Sequence, residues 1–206
     1  MPADFAFAAL DATRQVRPSA NRNPHLAWDE VPAGTESLAL FCFDVDAPRD
    51  ASRTNQPGSR LPLDMARRDF FHWSVIDMPA VRGGLGAGEY SSGITPRGKP
   101  APPGQAGDGH PAGLRQGLND YGAWFARDAA MAGDYYGYDG PSPPWNDERL
   151  HHYIFRLYAL DVARLPVGAR FTGAQARAAM HGHILDEAQL IAAYSLNSEL
   201  AATLKK

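Results

Sequence analysis

The chain has 206 residues, 44% of them hydrophobic, and a formal charge of −3. That is enough apolar material for one well-filled core, and there is no basic excess to recruit nucleic acid or an acidic membrane surface. A small molecule or another protein surface is the partner this composition leaves open.

In chain order, the N-terminal "MPADFAFAALDATRQVRP" carries Asp4 and Asp11 and no basic start before an apolar run, so it does not read as a signal peptide. "PHLAWDEVP" reads as a short strand ending in the turn signal "VPAGTES". "SLALFCFDV", "DFFHWSVIDM" and "LHHYIFRLYALD" follow as longer runs rich in aromatic and β-branched residues. Their near-continuous apolarity predicts strands covered on both faces, hence a central sheet. Long loops separate them, near 47–69, 81–120 and 123–149, and the middle one holds a dense share of the 20 glycines and 17 prolines. The last quarter, from "FTGAQARAAMHGHILDEAQL" onward, is alanine-rich and helical in composition. Thr172 with Gln175 fits a capping box, and Gly182 is expected to divide one helix from the next. Ile184, Leu185, Ala188, Ile191 and Ala192 recur at helical spacing and predict a stripe facing the sheet. One β-rich domain spanning 1–206, with a short C-terminal helical segment, is the economical architecture.

No stretch approaches the roughly 18 uncharged apolar residues of a membrane span. The lone Cys42 cannot form an internal disulfide, which fits a reducing compartment and a buried thiol. A soluble cytoplasmic protein is expected.

The chemistry lies in polar residues embedded in apolar strands. By strand alternation Asp44 and Asp46 share a face, about 6.6 Å apart. His151 and Tyr153 share a face of their own strand, and His72 sits inside "FFHWSV", where a buried imidazole needs a partner. If those strand ends meet, two carboxylates, two imidazoles and a phenol form a polar pocket. "YDGPSPPW" supplies a stiff rim, with Gly140 allowing close backbone approach and Pro141, Pro143 and Pro144 restricting the chain. Imidazolium and N–H groups favour an oxyanion such as phosphate, and carboxylates favour an ammonium or hydroxyl donors. With two carboxylates close together, one is expected to hold a proton and to donate to a phosphate oxygen.

These segments resemble a known family. "LFCFDVDAP" resembles the aspartate–proline signature of the phosphatidylethanolamine-binding proteins, and "FFHWSVIDMPA" their His-aromatic strand. "GLNDYG" and "YDGPSPPWNDERLHHYIFRLYALD" are similar to their Asn-Asp-Phe-Gly, Gly-Pro-x-Pro-Pro and His-Arg-Tyr segments. "NPHLAWDEVPAGTESLAL" resembles the opening of the bacterial, Raf-kinase-inhibitor-like branch, and "AMHGHILDEAQLIAAY" its closing helix. The likeness covers about residues 20–195, with the motifs in family order. It implies a mainly β fold, a large antiparallel sheet packed beside a smaller one with a C-terminal helix, and a small surface pocket for phosphate-like anions and phosphorylated headgroups. The pocket residues it implies are Asp44, Asp46, His72, His151 and Tyr153, with Gly140 and Pro141 on the rim. The resemblance also implies partners: eukaryotic relatives act largely as regulators that bind kinases or other proteins, while bacterial relatives are poorly assigned and some form homodimers. Val45 stands where the family has a proline between the aspartates, and His152 where it has an arginine. The loops around the expected mouth are longer than usual.

The sequence reading is therefore a non-enzymatic, regulatory binding protein with no cofactor and no metal. Two alternatives use the same residues. One is a small hydrolase with His151 or His72 as general base and an aspartate orienting it, although "GxSxG" is absent. The other is a metal site built from Asp44, Asp46, His72 and His151, without the spacing of a helical His-x-x-x-His or Cys-x-x-Cys.

Overall fold

A computed structural model describes residues 1–102 and 113–204. The part of the expected 81–120 loop from 103 to 112 lies outside the described residues. The three long apolar runs become the centre of a five-stranded antiparallel sheet: β4 (Ser37–Pro48), β5 (Arg67–Pro79) and β8 (His151–Leu160). Two shorter contributions complete it, β7 (Arg115–Gln116) beside β5 and β9 (Ile184–Tyr194) beside β8, giving the order β7-β5-β4-β8-β9. Two small antiparallel pairs accompany it. One joins β1 (Ala8–Leu10) to β2 (Val16–Pro18); the other joins β3 (Leu26–Trp28) to β6 (Gly83–Leu85).

Alternation along β4 divides the core in two. Leu38, Leu40 and Cys42 pack with Trp73, Val75, Tyr138 and Phe155 on one side. Ala39, Phe41 and Phe43 pack on the other with Phe71, Tyr158, Phe171, Ala176 of the helix α2 (Gly173–Ala179) and that helix's C-cap residue Met180. With both faces covered, β4 is almost wholly buried, as its unbroken apolar run predicts. Cys42 sits at the middle of this strand, between Trp73 and Phe155, with no exposed surface. Arg115 and Asp77, each about 2% exposed, pair at 2.6 Å near the end of the sheet, and the same guanidinium donates to the carbonyls of Leu165 and Val167. Among the described residues two further α-helices are short, α1 (Tyr121–Trp124) and α3 (Ser198–Thr203). Among the described residues no helix is long and apolar enough to cross a membrane.

The last quarter departs from the sequence reading. The capping box of Thr172 and Gln175 is present at the start of α2. Gly182, at φ +86°, does not divide two helices but turns the chain from α2 into a strand. Ile184–Tyr194 pairs with β8 along its whole length, so Leu190 and Ile191 point to opposite faces and no helical stripe exists. Ile184, Leu185, Leu190 and Ile191 are 45–57% exposed on this edge strand. Helix propensities differ by only about 0.7 kcal/mol or less among ordinary residues, so a ladder that satisfies one whole edge of β8 outweighs them.

Candidate functional site

The cavity of interest lies where β4, β5 and β8 end together. Register aligns Asp44 of β4 with Phe70 of β5 and with Tyr153 of β8. Asp44 continues the Leu38, Leu40, Cys42 face, so the apolar core on that side finishes in a carboxylate. His151 lies two residues from Tyr153 on the same face of β8. His72 arrives by an irregularity: β5 places both His72 and Trp73 against Cys42, a bulge that turns the imidazole toward the same side. The resulting hollow is about 40 Å3. Asp44, His72, His151 and Tyr153 supply its polar wall, and Phe70, Tyr121, Trp124, Pro143 and Pro144 its apolar one.

The remaining expected residues stand elsewhere. A second bulge, between Asp44 and Ala47, breaks the alternation that would set the two aspartates on one face. Asp46 instead accepts from the His152 backbone N–H and Nδ1, at 3.0 and 2.9 Å, and from Arg149 at 3.2 Å. Its N–H donates to Asp44 Oδ1 at 2.8 Å. Asp46 therefore braces the strand end without lining the hollow. Gly140 and Pro141 are buried against the N-terminal segment: a Cβ on Gly140 would lie 2.0 Å from the Phe5 carbonyl, and the Pro141 carbonyl accepts from Phe7 and Ala8. The rim is formed by Ser142, Pro143 and Pro144, further along the same segment.

Hydrogen bonding fixes the roles of the polar wall. His151 is held from both sides, with Nδ1 2.6 Å from Asp44 Oδ2 and Nε2 3.0 Å from Asp147 Oδ2. Asp147 is in turn gripped by both guanidinium nitrogens of Arg67, at 2.5 and 3.0 Å. Charges alternate along Asp44, His151, Asp147 and Arg67. Burial pulls the His151 pKa down, but the Asp44 charge and the hydrogen bonds to Asp147 and Asp44 outweigh it and push it up to about 9. The imidazolium's two N–H groups are both consumed. Burial raises the Asp147 pKa, yet the bonds from His151 and Arg67 bring it below the ordinary value.

His72 behaves differently. Its Nδ1 is 2.7 Å from the Asp139 carbonyl, which can only accept, so Nδ1 carries the hydrogen. Burial lowers its pKa against the pull of Asp44, so the ring is neutral and Nε2 presents a lone pair. The Tyr121 hydroxyl donates to the Gly140 carbonyl at 2.7 Å. The Tyr153 hydroxyl is buried beside the Asp44 carboxylate and makes no hydrogen bond of ordinary geometry, and burial together with Asp44 holds its pKa well above the ordinary phenol value. Among the described residues no hydroxyl or thiol is hydrogen-bonded to either imidazole ring. No group of three His, Cys, Asp or Glu side chains among them is placed to hold a metal ion.

Sequence reasoning did not find Asp147, Arg67, Phe70 or Trp124. "NDERLHH" holds a carboxylate four residues before His151, which was a signal within reach. Arg67, at the start of β5, and Trp124, at the end of α1, are distant in sequence from the other site residues and leave no local pattern.

The chain matches the family model described as phosphatidylethanolamine-binding protein over residues 3–195. It is 31% identical over 175 residues to the UPF0098 protein YbhB of Escherichia coli, covering 85% of this chain and 82% of that one. It is 33% identical over 175 residues to a UPF0098 protein of Methanothermobacter thermautotrophicus, covering 84% and 83%. The fold is similar to the crystal structure of Escherichia coli YbcL, described as a new member of the mammalian PEBP family, with TM-score 0.61 at 24% identity over 95% of this chain and 90% of that one.

Proposed function

We propose, from the premise that the chain belongs to the phosphatidylethanolamine-binding protein family, that it is a non-catalytic binding protein whose cavity takes a small phosphate-like anion or phosphorylated headgroup, with a regulatory outcome. The observation that carries this reading is the Tyr153 hydroxyl, buried on the wall of a hollow without a hydrogen bond of ordinary geometry. A buried donor left unmade costs about 1–3 kcal/mol, and a ligand oxygen beside it would recover that cost. At about 40 Å3, with one water needing roughly 10–15 Å3 of such space, the hollow suits a phosphate-sized group. The apolar rim of Trp124, Pro143 and Pro144 suits whatever the group is attached to.

Binding is favoured over hydrolysis by the state of the two imidazoles. His151 stays protonated to about pH 9, with both nitrogens committed to carboxylates, so it has no lone pair to act as a base. His72 has a lone pair but no hydroxyl or thiol hydrogen-bonded to it to activate.

Titration calorimetry with inorganic phosphate and phosphoethanolamine tests the proposal. Wild type is expected to bind, and Tyr153→Phe to keep its fold while losing about tenfold or more in affinity. No heat with either ligand on the wild type would overturn it.

A further inference from the structure

We propose that the cavity selects oxyanions that still carry a hydrogen, such as hydrogenphosphate and the monoprotonated form of phosphomonoesters, and rejects sulfate and phosphodiesters of similar size. This rests on the anion-binding function proposed above and names the class of anion.

The inference comes from matching donors to acceptors on the polar wall. His151 has no N–H left, because Asp44 and Asp147 take both. Tyr121 spends its hydroxyl hydrogen on the Gly140 carbonyl. The groups remaining for a ligand are the Tyr153 hydroxyl, the Asp44 carboxylate and the Nε2 of His72, since the Ser142 hydroxyl at the rim is engaged with Tyr121. Tyr153 can donate. Asp44 cannot, since Oδ1 already accepts from the Asp46 N–H and Oδ2 from His151. His72 cannot, since its hydrogen is on Nδ1, facing the Asp139 carbonyl. Two of the three groups are therefore acceptors.

Sulfate brings only acceptors at neutral pH, so its oxygens would face the lone pairs of Asp44 and His72 with no hydrogen between them. Hydrogenphosphate has the same tetrahedral shape but offers a P–OH to Asp44 or His72 while its other oxygens accept from Tyr153. An O–H···O⁻ bond of this kind is short and about twice as strong as a neutral one. A site that hydrogen-bonds a ligand hydroxyl discriminates strongly against an analogue lacking it, because the buried acceptor is then left unmatched. The same logic separates two sources of phosphate: a monoester can carry the hydrogen, whereas the phosphodiester of an intact phospholipid cannot.

The experiment is calorimetry on the intact protein at pH 7 and fixed ionic strength, with potassium phosphate in one arm and potassium sulfate in the other. Phosphate is expected to bind at least about tenfold more tightly. Asp44→Asn supplies an N–H in place of an acceptor and is expected to bring sulfate within about threefold of phosphate. A second comparison needs no variant: methyl phosphate against dimethyl phosphate at pH 6, where the monoester is expected to bind and the diester to fail. Wild type binding sulfate as tightly as phosphate, or dimethyl phosphate as tightly as methyl phosphate, overturns the selectivity while leaving anion binding intact. Absence of binding by every anion overturns both.

Discussion

Raising the pH from 6.5 toward 9 should weaken this protein through one side chain. His151 is 1% exposed, and its pKa moves from the ordinary 6.5 to about 9 in the fold. A group whose folded pKa lies above its unfolded one contributes stability that is complete below the unfolded value and lost as pH climbs to the folded value. The difference, at about 1.4 kcal/mol per pH unit, amounts to about 3–4 kcal/mol. Between pH 6.5 and 8.5 the folded chain keeps a proton that the unfolded chain releases, so unfolding free energy should fall by roughly 2–3 kcal/mol. Urea unfolding at half-unit pH steps measures this in the wild type and in His151→Gln, which does not titrate. The Met1 amine, lowered by burial, and the Cys42 thiol, raised by burial, also titrate near this range. Both are present in each protein, so the difference between the two curves isolates His151. A difference that stays constant within about 0.5 kcal/mol across those two pH units would show that His151 is neutral in the fold, and the alternating charge chain would be wrong.

Two other perturbations test the frame. Arg115→Met leaves the Asp77 carboxylate buried without its 2.6 Å partner; the expected cost is about 3–5 kcal/mol, read by urea unfolding, with part of it recovered on adding Asp77→Leu. Gly140→Ala places a methyl where the Phe5 carbonyl stands, 2.0 Å away. It should loosen the N-terminal segment and admit limited proteolysis before residue 10, whereas Gly168→Ala, which meets nothing within 4 Å, should leave the cleavage pattern unchanged.

The three central strands were legible because a strand covered on both faces has a nearly unbroken apolar sequence, and β4, β5 and β8 all do. Asp44, His151 and Tyr153 were legible because a polar side chain at the end of such a run needs a reason. His72 was noticed for the same reason, though alternation could not give its direction, which a bulge decides. Asp46 was misdirected by the same kind of irregularity: one extra residue after Asp44 turns it to His152 and Arg149. Strand β9 was misread because its alanines and charged residues are good helix formers, and only the long-range pairing with β8 makes it a strand. Asp147 and Arg67 meet across 80 positions of sequence, a distance over which no local periodicity operates.

The placement of Cys42 gives the chain an internal clock. Its sulfur lies in the middle strand, flanked on both sides by paired neighbours and closed to solvent. An alkylating reagent can reach it only when those strands part, so fraying of termini and loops goes unrecorded. As the sequence holds one thiol, each labelling event reports one opening of the central sheet, and the rate with excess reagent measures how often the whole molecule lets go.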